Sequence, residues 1–152
     1  MPHKPITLLI ADDDPDDRLL AKEALIESRL VNQLYFVEDG QELLDFLHQR
    51  NAYNRETAPR PGLILLDLNM PRKDGREALD EIKSDPHLRK IPIVILTTSE
   101  AEEDILRSYD LGVNSFIVKP VTFDGLVEVM RTISLYWFEI VALPADFEPE
   151  MV

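Results

Sequence analysis

The fold of this chain is decided by the stretch LILLDLNMPRKDG, residues 63–75. Four consecutive aliphatic residues have the length of a strand, and Asp67 follows them directly, before Pro71 and Gly75 end any regular structure. A strand that is apolar on both faces is typical of a parallel sheet that helices cover on both sides. The stretch therefore predicts a fully buried strand that carries a carboxylate at its C-terminal end.

Four other apolar runs of strand length occur along the chain, and segments with helical spacing of apolar residues separate them. We predict strands at Ile6–Ala11, Leu34–Val37, Leu63–Leu66, Ile91–Leu96 and Ser115–Val118. We predict helices at Pro15–Ser28, Gln41–Arg50, Gly75–Ser84, Glu100–Asp110 and Thr122–Val141. This alternation predicts an α/β fold, a doubly wound five-stranded parallel sheet with five helices and the flavodoxin-like strand order 2-1-3-4-5.

The length of 152 residues and the hydrophobic fraction of 45% are typical of one globular domain with a substantial core. We place this domain at residues 6–141, with an N-terminal tail at 1–5 and a C-terminal tail at 142–152. Residues 51–62 are polar and contain two prolines, so we expect a long surface connection there.

The net charge, the length of the apolar runs and the cysteine content disfavour several classes of function and location. A formal net charge of −13 disfavours nucleic-acid binding, because phosphates are bound by basic surfaces. No apolar run approaches the roughly 20 residues that span a bilayer, and the N-terminus lacks the features of a signal peptide. Together with the absence of cysteine, these features lead us to expect a cytoplasmic protein that does not bind membranes.

Polar residues follow four of the five predicted strands. Asp12 and Asp13 follow the first strand, Asp67 the third, Thr97 the fourth and Lys119 the fifth. In a parallel sheet all of these positions lie along one edge, and the crevice of this strand order falls between strands one and three. The sequence therefore predicts one site built from these residues.

The chemistry of that site follows from its three acids. Crowded carboxylates repel each other and favour a hard cation with oxygen ligands, for which Mg²⁺ is the obvious choice. A carboxylate is also a nucleophile toward phosphorus, and the transferred group then needs a cation and a hydroxyl donor beside it. Lys119 and Thr97 supply those two groups in the predicted site.

Each of these residues can also be given a purely structural role. The acids of segment 12–17 also suit the N-terminus of the next helix, and Thr97 also suits a helix cap. Lys119 alone is an ordinary surface residue. Asp67 is harder to explain structurally, because no helix begins directly after it.

Taken together, these motifs resemble the receiver domain of two-component response regulators, over about residues 6–140. The matching segments are Asp12-Asp13, Leu65-Leu66-Asp67-Leu68-Asn69-Met70-Pro71, Asp74-Gly75, Thr97 and Lys119-Pro120. The resemblance implies a (βα)5 receiver fold and a phosphoacceptor switch that is not a true enzyme. It implies that Asp67 accepts a phosphoryl group from the phosphohistidine of a histidine kinase.

The resemblance also implies the roles of the surrounding residues. Asp13, Asp67 and the backbone carbonyl of Asn69 would bind Mg²⁺, with Asp12 acting through water. The phosphoryl group would be bound by a hydroxyl, an ammonium and a nearby aromatic switch residue, which are Thr97, Lys119 and Phe116. Many family members have Tyr at the Phe116 position, so this chain lacks that hydroxyl.

More narrowly, the chain looks like the single-domain regulators paired with bacterial and cyanobacterial phytochrome kinases, which signal by protein contact. The segments behind this resemblance are Asp14-Pro15, the connection 51–62, Leu96-Thr97-Thr98-Ser99 and residues 137–144.

Two other functions compete with this interpretation. A Mg²⁺-dependent phosphohydrolase of the haloacid dehalogenase type would use Asp67 as its nucleophile, but would need an acid where this chain has Asn69. A receiver relative that binds without being phosphorylated would be expected to have lost some of the polar strand ends, whereas all four are present here.

The final predicted helix has apolar residues on two sides. Residues 126, 130, 133, 137 and 140 form one stripe at helical spacing, which suits the core. Leu135, Tyr136 and Phe138 lie off that stripe, and exposed apolar surface usually marks a partner interface. Our hypothesis is a homodimer through this helix and the tail, including Leu143. The alternative is that the tail folds back over these residues within one chain.

Overall fold

The structure, a computed structural model, describes residues 7–27, 33–67, 75–97, 115–118 and 122–134. The strands are β1 Thr7–Ala11, β2 Gln33–Val37, β3 Leu63–Leu66, β4 Ile93–Thr97 and β5 Ser115–Val118. The helices within this part of the chain are α1 Pro15–Glu27, α2 Gly40–His48, α3 Gly75–Ser84 and α4 Phe123–Ser134. The helix predicted at Glu100–Asp110 and the end of the helix predicted to reach Val141 lie outside the described residues.

The five strands form one sheet in the order β2-β1-β3-β4-β5, and every pairing is parallel. This confirms the predicted strand order. The register aligns the strand ends, because Ala11 lies opposite both Val37 and Leu66. The polar residues that follow β1 and β3 therefore emerge at the same edge.

The hydrophobic core lies in two layers, one on each face of the sheet. Alternate residues of a strand point to opposite faces, so Leu8 and Ile10 join one layer while Leu9 and Ala11 join the other. The layer with α1 and α4 contains Ala24, Leu25, Leu63, Leu65, Val94 and Met130. The layer with α2 and α3 contains Leu43, Phe46, Ile64, Leu66, Leu79, Ile82, Ile93 and Ile95.

Helix α2 begins and ends at residues with defined capping geometry. The Asp39 carboxylate accepts a 2.8 Å hydrogen bond from the Glu42 amide, which satisfies one of the free N–H groups of the first turn. The helix ends at Gln49, which has the left-handed conformation (φ 55°) and whose amide bonds back to the last turn. Leu43, Leu44 and Phe46 of this helix are buried, and Leu47 is partly buried against the same core.

The connection between α2 and β3 is packed more tightly against the core than its polar composition predicts. Ala58 is only 1% exposed, and the Gln49 side-chain amide donates to its carbonyl at 2.9 Å. The ring of Tyr53 contacts Phe46 edge-on with 5.2 Å between ring centroids, and its hydroxyl donates to Glu42 at 2.8 Å. This segment therefore covers the end of the α2–α3 layer.

Strand β4 begins at Ile93, two residues later than predicted. Pro92 has no N–H and cannot donate to the sheet, although its carbonyl still accepts from the Ile64 amide at 3.0 Å. Among the described residues, no helix is both long enough and apolar enough to cross a membrane.

Candidate functional site

The site begins at the adjoining ends of β1 and β3. Asp12 and Asp67 each follow one member of the paired residues Ala11 and Leu66, so the register places them side by side. The Asp67 amide donates to the Ala11 carbonyl at 2.9 Å, and the Asp12 amide donates to the Val37 carbonyl at 3.0 Å. Both acids are thus still held by the sheet ladder, which fixes their backbone.

The carboxylates of Asp12, Asp13 and Asp67 meet at this edge. One oxygen from each lies within 4.8 Å of the other two. Asp12 and Asp67 are 5% and 8% exposed, whereas Asp13 is exposed. For the buried pair, when both acids are ionised, Coulomb's law gives a repulsion of at least about 3.5 kcal/mol at an effective dielectric constant near 20. The cluster therefore favours a bound cation.

The donor set fits a hard divalent metal ion. All three side chains offer anionic oxygens, which Mg²⁺ and Mn²⁺ prefer over nitrogen or sulfur. Oxygen ligands of an octahedral Mg²⁺ ion lie about 3.0 Å apart when adjacent and about 4.2 Å apart when opposite, so oxygens within 4.8 Å of one another would move closer together to share one ion. The exposed position of Asp13 leaves one side of such an ion accessible to solvent or to a phosphoryl oxygen.

The adjacent acid, Asp14, has a different role. Its side chain accepts hydrogen bonds from the Asp16 amide at 2.8 Å and the Asp17 amide at 3.4 Å, which makes it the N-cap of α1. Its own amide donates to the Asp12 carboxylate at 3.0 Å. The capping interpretation of this acidic segment is therefore correct for Asp14, while Asp12 and Asp13 belong to the carboxylate cluster.

Arg18 is a residue of the site that the sequence reasoning missed. Its guanidinium donates to the Asp12 carbonyl at 2.7 Å and to the Glu38 carboxylate at 3.2 Å. The signal was present in the sequence, because a cation in the first turn of a helix opposes the helix dipole and calls for a specific partner.

The structure describes only part of the remaining predicted site. Thr97 ends β4 opposite Val118, and Phe116 lies in β5 opposite Ile95. Their backbone positions are described, and both strands end at the same edge as the carboxylate cluster. The other predicted residues, Asn69, Lys119, Leu135, Tyr136, Phe138 and Leu143, lie outside the described residues.

Comparison with known proteins identifies the family. A family model described as the response regulator receiver domain matches residues 8–131. The chain belongs to this family. Among curated relatives of the receiver domain, response regulator Rcp1 of Synechocystis sp. is 43% identical over 143 residues, which are 94% of this chain and 96% of that protein.

Two solved structures show the same likeness. The Mn²⁺-bound form of Rcp1 has a TM-score of 0.84 at 43% identity, covering 92% of this chain and 99% of that chain. The phosphorylated cyanobacterial phytochrome response regulator RcpA has a TM-score of 0.86 at 42% identity, covering 93% of this chain and 99% of that chain. As a receiver domain, this protein is a response regulator of two-component phosphorelay signalling.

Proposed function

We propose that Asp67 is the phosphoacceptor of this receiver domain. The observation that carries the proposal is the meeting of the Asp12, Asp13 and Asp67 carboxylates at the ends of β1 and β3. Of the two buried acids, Asp67 follows the central strand β3 and matches the phosphoacceptor position of the family motif. This combination of position and burial favours Asp67 over Asp12.

In the proposed reaction, a carboxylate oxygen of Asp67 attacks the phosphorus of a kinase phosphohistidine. The new O–P bond forms as the P–N bond breaks, and the electron pair of that bond returns to the imidazole, which takes up a proton. The product is an acyl phosphate on Asp67. Water can later cleave this bond. Asn69 offers no carboxyl acid to speed that step, so the protein acts as a switch with slow self-dephosphorylation.

Mg²⁺ is the proposed cofactor, held by the carboxylates of Asp13 and Asp67 and the backbone carbonyl of Asn69, with Asp12 acting through water. When bound, the ion offsets the charge of the carboxylates and of the incoming phosphoryl group. The protein contributes the preformed oxygen cluster, whose two buried acids are fixed by the sheet.

We assign the phosphoryl-binding and switching roles to Thr97, Lys119 and Phe116. The pairing of Thr97 with Val118 supports this assignment, because Lys119 is the next residue in the sequence after Val118. In the proposed phosphorylated state, the Thr97 hydroxyl donates to a phosphoryl oxygen and the Lys119 ammonium pairs with another. Phe116 is the aromatic side chain whose rotation reports the state.

The proposed partner is a sensor histidine kinase of the phytochrome type. The likeness to the phytochrome regulator RcpA over 93% of this chain supports that pairing.

We assign residues 6–141 to the receiver domain and residues 142–152 to a tail that acts as a dimerisation arm. The protein acts in the cytoplasm by contact with other proteins, without binding nucleic acid or membranes. It forms a homodimer through the helix predicted at Thr122–Val141 and the tail.

The central proposal is tested by phosphorylation of wild type and Asp67→Asn. Incubation with Mg²⁺ and acetyl phosphate is expected to add one phosphoryl group to wild type and none to Asp67→Asn, as measured by intact-protein mass. Asp80→Asn on α3, an exposed acid outside the cluster, makes the same chemical change and should behave as wild type. Equal labelling of wild type and Asp67→Asn would show that the acceptor is another residue.

The same assay tests the proposed partner. A phosphorylated phytochrome-type kinase is expected to transfer its phosphoryl group to wild type within minutes, and a histidine kinase of another class much more slowly. Equal transfer rates from the two kinases would contradict the phytochrome pairing while leaving the role of Asp67 intact.

A further inference from the structure

Arg18 connects the two loops beside the carboxylate cluster. Its guanidinium donates to the backbone carbonyl of Asp12, which directly follows β1, and to the side chain of Glu38, which directly follows β2. The side chain of Arg18 is 17% exposed and that of Glu38 is 63% exposed. The guanidinium thus lies mostly under the surface, with one neutral acceptor and one charged acceptor.

The contact with Asp12 completes a set of restraints on one backbone segment. The Asp12 amide donates to the Val37 carbonyl at 3.0 Å, and the Asp12 carbonyl accepts from Arg18 at 2.7 Å. Both polar groups of this residue's backbone are therefore bound, one by the sheet and one by α1. The carbonyl of Asp12 belongs to the peptide that leads into Asp13, so the same hydrogen bond also orients the second acid of the cluster.

We propose that Arg18 is a positioning residue that holds Asp12 and Asp13 in the geometry required for divalent metal binding. This inference rests on the metal site proposed above. Arg18 acts through the backbone of Asp12, in the way that outer-shell partners orient metal ligands, and changes to such partners typically weaken metal binding 10- to 100-fold.

The geometry of the guanidinium explains why this residue is arginine. Its planar fork reaches two acceptors on different loops at once, with Nη1 on Asp12 and Nη2 on Glu38. A lysine ammonium has the same charge but concentrates its donors at one point. Arg18→Lys therefore keeps the charge and loses the bridge, which makes it the decisive variant.

Charge alone gives the opposite expectation. Removing a cation near three carboxylates makes the site more negative, so a purely electrostatic role predicts tighter Mg²⁺ binding in Arg18→Ala. Positioning predicts weaker binding in the same variant. The sign of the change in affinity therefore separates the two roles.

The experiment measures Mg²⁺ affinity of the full chain at constant ionic strength, by titration of backbone amide NMR shifts. We expect affinity to fall about tenfold in Arg18→Ala and to fall by a smaller factor, but still below wild type, in Arg18→Lys. Shifts of the Asp12 and Asp13 amides in the metal-free protein should change in both variants. Arg131→Ala, which removes another arginine paired with a glutamate on α4, should bind Mg²⁺ as wild type does.

Each alternative outcome has a clear meaning. Wild-type affinity in Arg18→Lys, or tighter binding in Arg18→Ala, would overturn the positioning role while the metal site stands. Absence of Mg²⁺ binding by wild type would instead overturn the metal site itself. If Arg18→Ala does not fold, as judged by circular dichroism, Arg18→Lys alone decides between the two roles.

Discussion

Three consecutive acids of this receiver domain have three different surroundings. Asp12 is buried and held by the sheet, Asp13 is exposed within the same carboxylate cluster, and Asp14 caps α1. The residue types and the end of β1 predicted that acids would gather at this edge. The division of roles was not predictable. It depends on which carboxylate accepts from the first amides of α1 and on the contact of Arg18 with the Asp12 carbonyl.

Tyr53 is a second residue whose role depends on its neighbours. Its hydroxyl donates to the Glu42 carboxylate at 2.8 Å while its ring contacts Phe46. Burial of the ring and the hydrogen bond to Glu42, together with the nearby charges of Glu42, Asp45 and Asp39, raise the pKa of Tyr53 above its ordinary value. The folded state therefore favours the neutral phenol.

This raised pKa predicts a loss of stability in alkali. Because the folded pKa exceeds the unfolded value, the contribution of Tyr53 is fully present below about pH 10 and decreases as the pH rises beyond it. Tyr53→Phe is expected to cost about 1.5 kcal/mol at neutral pH. Its unfolding free energy should decline less than that of wild type as the pH rises above about 10, as measured by urea unfolding. The control is Tyr35→Phe, at the other tyrosine whose ring contacts Phe46. Parallel curves of unfolding free energy against pH for wild type and Tyr53→Phe would contradict the expectation.

At the scale of whole elements, hydrophobic patterning together with the residues at element ends was sufficient to predict the strands and helices that the structure describes. Helix α3 and strands β3 and β5 have the predicted bounds, because Gly, Pro or acidic residues adjoin their apolar runs. The inward packing of the connection between α2 and β3 was not predictable in the same way. Ala58 and Tyr53 are isolated among polar residues, and their burial depends on contacts with α2 that a local pattern does not contain.

The end of α2 gives a prediction about backbone conformation. Gln49 has φ 55°, a region that glycine enters without the steric cost of a Cβ atom. Gln49→Ala loses the hydrogen bond to Ala58 and keeps that cost, so it should destabilise the protein by about 1 kcal/mol. Gln49→Gly loses the same bond but also removes the steric cost of the Cβ atom, which is of similar size. Its free energy of unfolding should therefore stay close to that of wild type.

Denaturant unfolding of both variants measures this difference. The control pair is Lys22→Ala and Lys22→Gly, at an exposed position within α1. In a helix interior the glycine variant should be less stable than the alanine variant by about 1 kcal/mol. If alanine is the more stable residue at both positions, the left-handed geometry of Gln49 contributes nothing measurable.

At the scale of the molecule, the order of strands was predictable and the association of subunits stays a prediction. A parallel sheet with alternating helices permits few topologies, and the observed order β2-β1-β3-β4-β5 is the expected one. A homodimer depends instead on two surfaces matching each other. The apolar residues proposed for that interface lie in the segment that follows Ser134.

Size measurements test the proposed dimer. The full chain is expected to sediment as a dimer, and a chain truncated after Trp137 as a monomer, because the truncation removes Phe138 and Leu143. The full-length double variant Tyr136→Ser with Phe138→Ser should also be monomeric. A dimer that persists in both variants would contradict the interface, and a monomeric wild type would favour a tail that folds back within one chain.

The carboxylate cluster joins residues that are far apart in the sequence. Asp12 and Asp67 are 55 positions apart and become neighbours only through the pairing of β1 with β3. An ion held by this cluster has affinity for the native chain and little for the unfolded one. By mass action, such an ion at 100 times its dissociation constant adds about 2.7 kcal/mol to the free energy of unfolding. Under the proposed metal-dependent phosphorylation, competence to accept a phosphoryl group and resistance to unfolding are linked through the same ion, so a chain that has not paired these strands would not be phosphorylated.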